Sequence, residues 1–166
     1  MFTMRERLPL LVTNTTPLIA LTAATGSVDV LRFLFARVVV PLEVADEVRV
    51  GGKSGFGLDV FRSATWLEVQ AKAVVLQPFL SNSLDRGEAA VIQTAMNLSA
   101  PLVCIDESAG RRIARLCGLE LTGTVGVLLK AKRLGYVVSI PDALARMRAH
   151  GIWLSDQVVR FAMAQS

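Results

Sequence analysis

The chain has 166 residues, a length that predicts one domain over residues 1–166 with a single core. Hydrophobic residues make up 52% of it. Even so, polar residues and Pro17 interrupt the most apolar segment, residues 8–24, which falls short of the ~20 apolar residues that a bilayer requires. A net charge of +4 suits a polyanionic partner but does not by itself identify one.

The start of the chain makes a poor secretion signal, because Glu6 dilutes its basic character and a strong small-residue cleavage site is lacking. We therefore expect a cytoplasmic protein with no membrane contact. The two cysteines, Cys104 and Cys117, form no CxxC pair and are interpreted as buried reduced thiols. The single histidine, His150, precedes Gly151 at a predicted helix end, so a Ser-His-Asp triad is not expected.

Short β-rich runs alternate with helical patterns along the chain. The runs VVV and LVCI have no polar alternation, as expected of parallel strands that are covered on both faces. This alternation predicts an α/β sandwich with right-handed crossovers, in which ligands bind at the carboxyl ends of the strands. The predicted strands are Leu10–Thr13, Arg37–Val40, Trp66–Val69, Leu102–Ile105 and Leu119–Leu121.

Helix boundaries are marked by prolines and capping side chains at the starts and by glycines at the ends. Asp85 or Ser83 is predicted to cap the helix that contains Glu88, and Ser155 the last helix. Three glycines lie where helices should stop, at Gly118, Gly135 and Gly151. The predicted helices are Pro17–Ala24, Val28–Phe35, Leu42–Val50, Gly87–Leu98, Ser108–Leu116, Val125–Leu134, Pro141–Ala149 and Asp156–Met163.

Three acids and one amide lie at or beside predicted strand-to-helix junctions: Asn14, Glu47, Glu88 and Asp106. Convergence of several carboxylates is favourable chiefly when a cation neutralises them, since their repulsion otherwise raises a pKa. Oxygen ligands without His or thiolate select Mg²⁺ or Mn²⁺. The alternative role for each acid is a helix cap or first-turn partner, which we prefer for Asp85. It stays open for Glu88, while Asp106 ends a wholly apolar strand and favours a functional role.

The segment VGGKSGFG, residues 50–57, contains G-K-S and invites comparison with a phosphate-binding loop. That pattern requires a glycine five residues before Gly52, where this chain has Glu47. A helix rather than a strand is predicted before it. We interpret the segment as a flexible surface loop, in which Lys53 could approach a nucleic acid.

Six segments in order resemble the PIN-domain superfamily, in particular a compact prokaryotic branch related to VapC-type toxins. They read LVTNTTPLIAL, VVVPLEVADEV, LDRGEAAVIQTA, PLVCIDESAGRRIA, LTGTVGVLLKAKRLGYV and MRAHGIWLSDQVV. The similarity runs from Leu11 to about Arg160. It implies a three-layer α/β/α sandwich with a mainly parallel sheet, and a Mg²⁺- or Mn²⁺-dependent ribonuclease.

The resemblance also assigns roles to individual residues. The metal-binding acids of the family correspond here to Asn14, Glu47, Glu88 and Asp106, and the hydroxyl that accompanies the first acid corresponds to Thr16, which is also predicted to cap its helix. Arg111 takes the place of a basic residue that contacts phosphate in this branch.

An asparagine in the place of the first acid brings one carbonyl oxygen and no charge. Three functions therefore stay open. The first is an RNA endonuclease of toxin type, and the second is a catalytically silent PIN domain that binds RNA or a protein partner. The third is a small-molecule nucleotide-binding α/β protein, for which Lys53 would matter.

Partners follow from composition and from the resemblance. The segments SVDVLRFLFARVVV and VGVLLKAKRLGYVV carry more apolar residues than one helix face usually needs, which suggests a subunit contact. A homodimer and an antitoxin protein are implied by the resemblance.

Overall fold

The computed structural model describes residues 6–51 and 55–166. Within them, one sheet contains the strands β1 (Leu8–Thr13), β2 (Phe35–Val40), β3 (Glu68–Val69), β4 (Leu102–Cys104) and β5 (Glu120–Thr122). Their order is β3-β2-β1-β4-β5, and every neighbouring pair is parallel. The chain therefore adds strands on one side of β1 first and then crosses to the other side.

The central strand β1 is covered on both faces. Leu11 and Val12 have no exposed surface, and Leu11 lies opposite Val38 of β2 and Leu102 of β4. This is the burial expected of an apolar run without polar alternation.

Helices cover the sheet and position its carboxyl edge. They are α1 (Thr15–Thr25), α2 (Asp29–Leu34), α3 (Leu42–Val50), α4 (Leu58–Ser63), α5 (Pro78–Ser83), α6 (Arg86–Asn97), α7 (Ser108–Leu116), α8 (Thr124–Arg133), α9 (Ile140–Ala149) and α10 (Asp156–Gln165). Helix α6 packs on β1 and β4 and contacts α3 and α7, while α1 contacts α8 and α9. The predicted three-layer α/β/α architecture is confirmed.

All the predicted strands and helices are present, with ends shifted by a few residues. Phe35 was placed in a helix, but it begins β2, because pairing with Leu8 of β1 extends the strand to that point. Two helices were not predicted, α4 and α5. Both have only six residues, too short to display a helical period, although Pro78 at the first turn of α5 is a start signal.

Two predicted caps are confirmed and one is wrong. Asp85 Oδ1 accepts a hydrogen bond from the Glu88 backbone N–H at 2.8 Å, and Ser155 caps α10. Thr16 caps nothing, since α1 begins at Thr15 and the Thr16 hydroxyl donates to Glu107 instead.

The three predicted stop glycines, at 118, 135 and 151, all have positive φ.

The remaining residue expectations concern Cys104, Cys117 and His150. Cys104 is buried as predicted, but Cys117 is only half-buried. His150 ends α9 as predicted, and its ring stacks on Phe56 with 4.2 Å between centroids. No helix in residues 6–51 or 55–166 combines the length and apolarity needed to cross a membrane.

Candidate functional site

The predicted site residues lie near the topological switch point of the sheet. Strand β1 lies between β2 and β4, and in open parallel sheets a crevice forms where successive connections leave in opposite directions. Asn14 follows β1 at this point, and its backbone N–H donates to the carbonyl of Cys104, the last residue of β4, at 3.0 Å. The loop after β4 is thereby held against the start of α1.

Asn14 is buried, with 4% of its surface exposed. Its Nδ2 donates to Glu107 Oε2 at 3.3 Å, whereas its Oδ1 has no hydrogen-bond partner in the described structure. Leaving a buried acceptor unpaired costs about 1–3 kcal/mol. The carbonyl oxygen of this side chain is therefore an acceptor that no donor among the described residues satisfies.

Glu107 was missed by the sequence analysis, and it links the polar residues that follow β1. Its Oε2 accepts from Asn14, and its Oε1 accepts from the Thr16 hydroxyl. A weak signal existed, because Ser108 was correctly predicted to begin α7. That start puts a glutamate at the N-cap, a position where shorter polar side chains are preferred. Glu107 makes no cap hydrogen bond there, and its carboxylate accepts from the residues at the start of α1 instead.

Glu88 lies in the first turn of α6, where the Asp85 cap fixes its backbone. Burial raises the pKa of its carboxyl to about 7, with further contributions from the negative charges of Asp85 and Glu107. The carboxylate lies against Gly110, where an added Cβ would stand 3.0 Å from Oε1. Glu88 and Glu107 therefore lie close enough for their charges to repel each other.

Glu47 lies to one side of these residues and is exposed. The Thr15 hydroxyl donates to its Oε2 at 2.7 Å. Its carboxylate covers Gly87 at the start of α6, where an added Cβ would collide with Oε1 and lie 2.9 Å from Cδ. A glycine at that position is what lets α3 bring this acid to the N-terminus of α6.

Asp106 lies on the other side of these residues from Glu47, where hydrogen bonds connect it to the start of α8. Both its oxygens accept from Thr124, Oδ1 from the backbone N–H at 2.8 Å and Oδ2 from the hydroxyl at 2.6 Å. Burial raises the pKa of this carboxyl, while the Thr124 hydrogen bonds oppose the rise. The Arg111 charge also lowers this pKa. We refer to Asp106, Arg111 and Thr124 as the capped junction.

The Arg111 guanidinium is hydrogen-bonded to backbone carbonyls at the edge of the sheet. Its Nη1 donates to the carbonyl of Ile105 at 2.8 Å and to that of Thr122 at 3.3 Å. The side chain lines the same groove as Thr16 and Asp106, so its remaining donors can reach a ligand there. Lys53, the other predicted nucleic-acid contact, lies outside the described residues.

The structure thus brings together four residues, Asn14, Thr16, Glu88 and Glu107, which we call the acidic cluster. Glu47 and Asp106 flank it, each with a threonine partner of its own. Among residues 6–51 and 55–166, no three acidic, histidine or cysteine side chains lie close enough to share one metal ion. The roles of Asn14, Glu47, Glu88, Asp106 and Thr16 as ligands or catalytic groups stay predictions.

The chain was also compared with known proteins. A family model described as "DUF3368: PIN domain" matches residues 10–166. This match covers every helix, every strand except the first two residues of β1, and every residue of the acidic cluster. The search of curated proteins found no match.

Proposed function

The chain belongs to the PIN-domain family, and from this premise we propose that it is an RNA endonuclease that uses Mg²⁺ or Mn²⁺ to hydrolyse phosphodiester bonds. Family membership supports a role as a nuclease or nucleic-acid-binding protein. Cleavage, the metal and RNA as the substrate are the more specific parts of the proposal.

One observation carries the metal dependence. In the acidic cluster, Glu107 accepts from Asn14, whose buried amide oxygen has no partner among the described residues, and lies close enough to Glu88 to raise its pKa. No basic side chain forms an ion pair with either carboxylate in the described residues. Burial and the negative charges of neighbouring acids hold the Glu88 pKa at about 7, well above its usual 4.5. A cation bound there would relieve both the repulsion and the unpaired oxygen.

The donors fit a hard divalent cation. Mg²⁺ is usually held by one or two carboxylates and keeps several waters, so a third acid is not required. Glu88, Glu107 and Asn14 Oδ1 would hold the ion. Both Glu107 oxygens already accept one hydrogen bond, but each retains a second lone pair. When bound, such an ion supplies Lewis acidity at a phosphate group.

Other residues of the crevice have supporting roles in this proposal. Thr16 and Asn14 hold the Glu107 carboxylate in one orientation through both of its oxygens. Glu47 adds negative charge at the α6 end of the crevice, where Thr15 fixes it. Arg111 lies in the same groove as Thr16 and offsets the charge of a bound phosphate. We place Asp106 in the framework, because Thr124 donates to both of its oxygens and the Arg111 charge partly offsets its own.

A catalytically silent domain that binds RNA or a protein is the second candidate. The observation that favours it is the neutral side chain of Asn14, whose amide nitrogen already donates to Glu107. A carboxylate in this place would add several kcal/mol of gross attraction to a divalent ion at an effective dielectric of ~20. The Asn14→Asp variant therefore separates weak metal binding from none.

The test measures cleavage of a labelled RNA, with and without Mn²⁺, by the wild type, Asn14→Asp and Glu88→Gln. We expect Mn²⁺-dependent cleavage by the wild type, more by Asn14→Asp, and at least ~10-fold less by Glu88→Gln. Inactivity of both the wild type and Asn14→Asp, with Mn²⁺ binding no better than that of Glu88→Gln, would leave only the silent domain.

A toxin role, with an antitoxin partner and a homodimer, is a further part of the proposal and is supported by the resemblance to VapC-type proteins. Induced expression should then arrest growth, and the arrest should require Glu88. Growth that continues at full rate with abundant active protein would contradict the toxin role without affecting the nuclease.

A further inference from the structure

An open apolar groove adjoins the acidic cluster. Its volume is about 500 Å³, and it extends from Thr16 and Asp106 to the C-terminal part of the chain. Trp153 is 83% exposed there and Phe161 58%. We call it the aromatic groove, with apolar lining residues Leu121, Val125, Trp153, Val158 and Phe161.

A second groove, of about 560 Å³, meets the first at Arg111. It is lined by the basic side chains Arg115, Lys130 and Arg133 together with Glu120. We call it the basic groove. Neither Arg115, Lys130 nor Arg133 forms an ion pair with a described residue. The basic groove therefore carries uncompensated positive charge.

The two grooves form one continuous surface. They share Arg111, Leu121, Thr122 and Gly126, so a single ligand can occupy both. Such a ligand must be anionic along one part and flat and apolar along another. Single-stranded RNA has this combination, since its phosphates alternate with unstacked bases.

A second copy of this chain fits the surface less well. A twofold contact places the same patch on both subunits, so Arg115, Lys130 and Arg133 would face or adjoin their own counterparts. Like charges brought together across an interface disfavour association. The charge of the basic groove thus favours a polyanion over another copy.

We infer that an unpaired base of single-stranded RNA stacks on Trp153 in the aromatic groove, while the adjoining phosphates lie along Arg115, Lys130 and Arg133. This inference rests on the proposed function, because the aromatic groove opens onto the acidic cluster at Thr16. It makes the substrate an unpaired strand, since a base inside a duplex cannot stack on a side chain.

The test is fluorescence anisotropy with a 5′-labelled 12-nucleotide RNA of mixed sequence, in EDTA so that no cleavage occurs. Stacking on an aromatic residue is worth enough that Trp153→Ala should weaken binding about 10-fold. Trp153→Phe keeps an aromatic face and should bind within about threefold of the wild type. A duplex of the same length should bind equally to the wild type and Trp153→Ala.

Matched controls lie beside the basic residues. Arg115→Ala and Lys130→Ala should weaken binding and lower the salt slope by about one each. Arg112 and Lys132 are on the same helices but do not line the groove, so Arg112→Ala and Lys132→Ala should have smaller effects on both quantities. Val137→Ala, which removes a 98% exposed apolar side chain elsewhere, controls for general loss of surface hydrophobicity.

Tryptophan fluorescence supplies an independent measurement. The chain has two tryptophans, Trp66 and Trp153. The Arg32 guanidinium lies over the Trp66 ring, with its Cζ 5.6 Å from the ring centroid. RNA should quench the emission of Trp66→Phe, which retains Trp153. It should leave the emission of Trp153→Phe unchanged.

The outcomes distinguish this inference from the proposed function. If the wild type cleaves RNA but Trp153→Ala and Lys130→Ala bind it as tightly as the wild type, the inference fails and the nuclease stands. If RNA is never cleaved but Trp153→Ala still weakens binding about 10-fold, the inference stands without the nuclease. A Trp153→Ala protein that changes its oligomeric state in ultracentrifugation, with unchanged RNA affinity, assigns the groove to a second copy and overturns the inference.

Discussion

Asp106 and Glu107 are consecutive acids with opposite surroundings. In the capped junction, both Asp106 oxygens accept hydrogen bonds from Thr124, and Arg111 adds a positive charge nearby. In the acidic cluster, Glu107 faces a second carboxylate and an amide whose oxygen has no partner. Both acids accept one hydrogen bond at each oxygen, so what separates them is charge. Arg111 partly offsets that of Asp106, whereas Glu107 adjoins a second acid, Glu88.

An acid that follows a strand can therefore have one of two roles, a structural one or a cation-binding one. A carboxylate whose charge is offset by a neighbouring basic side chain, and whose two oxygens accept from protein donors, stabilises the fold and gains less from a cation. A carboxylate in an uncompensated group stores unfavourable energy that a cation releases. The same contrast predicts different responses to substitution at the two places.

The largest expected effect on stability comes from removing one hydroxyl at each place. Thr124 is buried, with 2% of its surface exposed, so Thr124→Val leaves an Asp106 oxygen without a donor that water can replace and should lower the free energy of unfolding by about 2 kcal/mol. Thr16 is half-buried and lines an open groove, so water can replace its hydroxyl at Glu107, and Thr16→Val should cost less than about 0.5 kcal/mol. Urea denaturation measures both, and equal losses would remove the distinction between the two acids.

Substituting one glycine beside each acid should give a smaller difference in stability between the capped junction and the acidic cluster. An added Cβ at Gly123 would lie 2.7 Å from Asp106 Oδ1 and 3.2 Å from Arg111 Nη1. Because Thr124 holds that oxygen in place, Gly123→Ala should destabilise the protein by about 1–2 kcal/mol. Gly110→Ala crowds Glu88 Oε1 and Ile105 Cγ2, each at 3.0 Å. This crowding offsets a gain of about 1 kcal/mol of helix propensity, so the net effect on stability should be near zero. A larger loss for Gly110→Ala in urea denaturation would contradict this order.

How far the sequence reaches is clearest at this edge of the sheet. The apolar runs predicted the strands, and their carboxyl ends correctly located Asn14 and Asp106, because parallel strands share one edge. The sequence could not show which donors each of the two adjacent acids would meet. The Thr124 donors to Asp106 come from a helix 18 residues further along the chain, and the donors to Glu107, Asn14 and Thr16, come from the start of α1.

The sequence failed to predict two short helices for a different reason. Helix α4 and helix α5 have six residues each, less than two turns, so tertiary contacts rather than periodicity determine them. The unpaired Asn14 oxygen was equally hidden, since a single sequence does not reveal which side-chain acceptors find donors. By contrast, Glu88 was located correctly because its cap and its helix are local in sequence.

The acidic cluster also predicts that stability depends on pH. The Glu88 pKa is about 7 in the folded protein, against an ordinary value of 4.5. Between these values the folded state binds more protons than the unfolded state, so stability falls as pH rises from about 4.5 to about 7 and stays lower above that. Glu88→Gln removes this loss, so its melting temperature should exceed that of the wild type at pH 8 by a few degrees more than at pH 5. The exposed Glu120→Gln serves as the control, and an identical pH response of Glu88→Gln and the wild type, without metal, would refute the account of this residue.

The most direct test is isothermal titration of Mn²⁺ into the wild type, Glu107→Gln and Asp106→Asn at one pH. The account predicts that Glu107→Gln binds Mn²⁺ at least ~10-fold more weakly than the wild type, while Asp106→Asn stays within about twofold. The opposite ranking, with Asp106→Asn losing the metal and Glu107→Gln retaining it, would contradict the division between the capped junction and the acidic cluster.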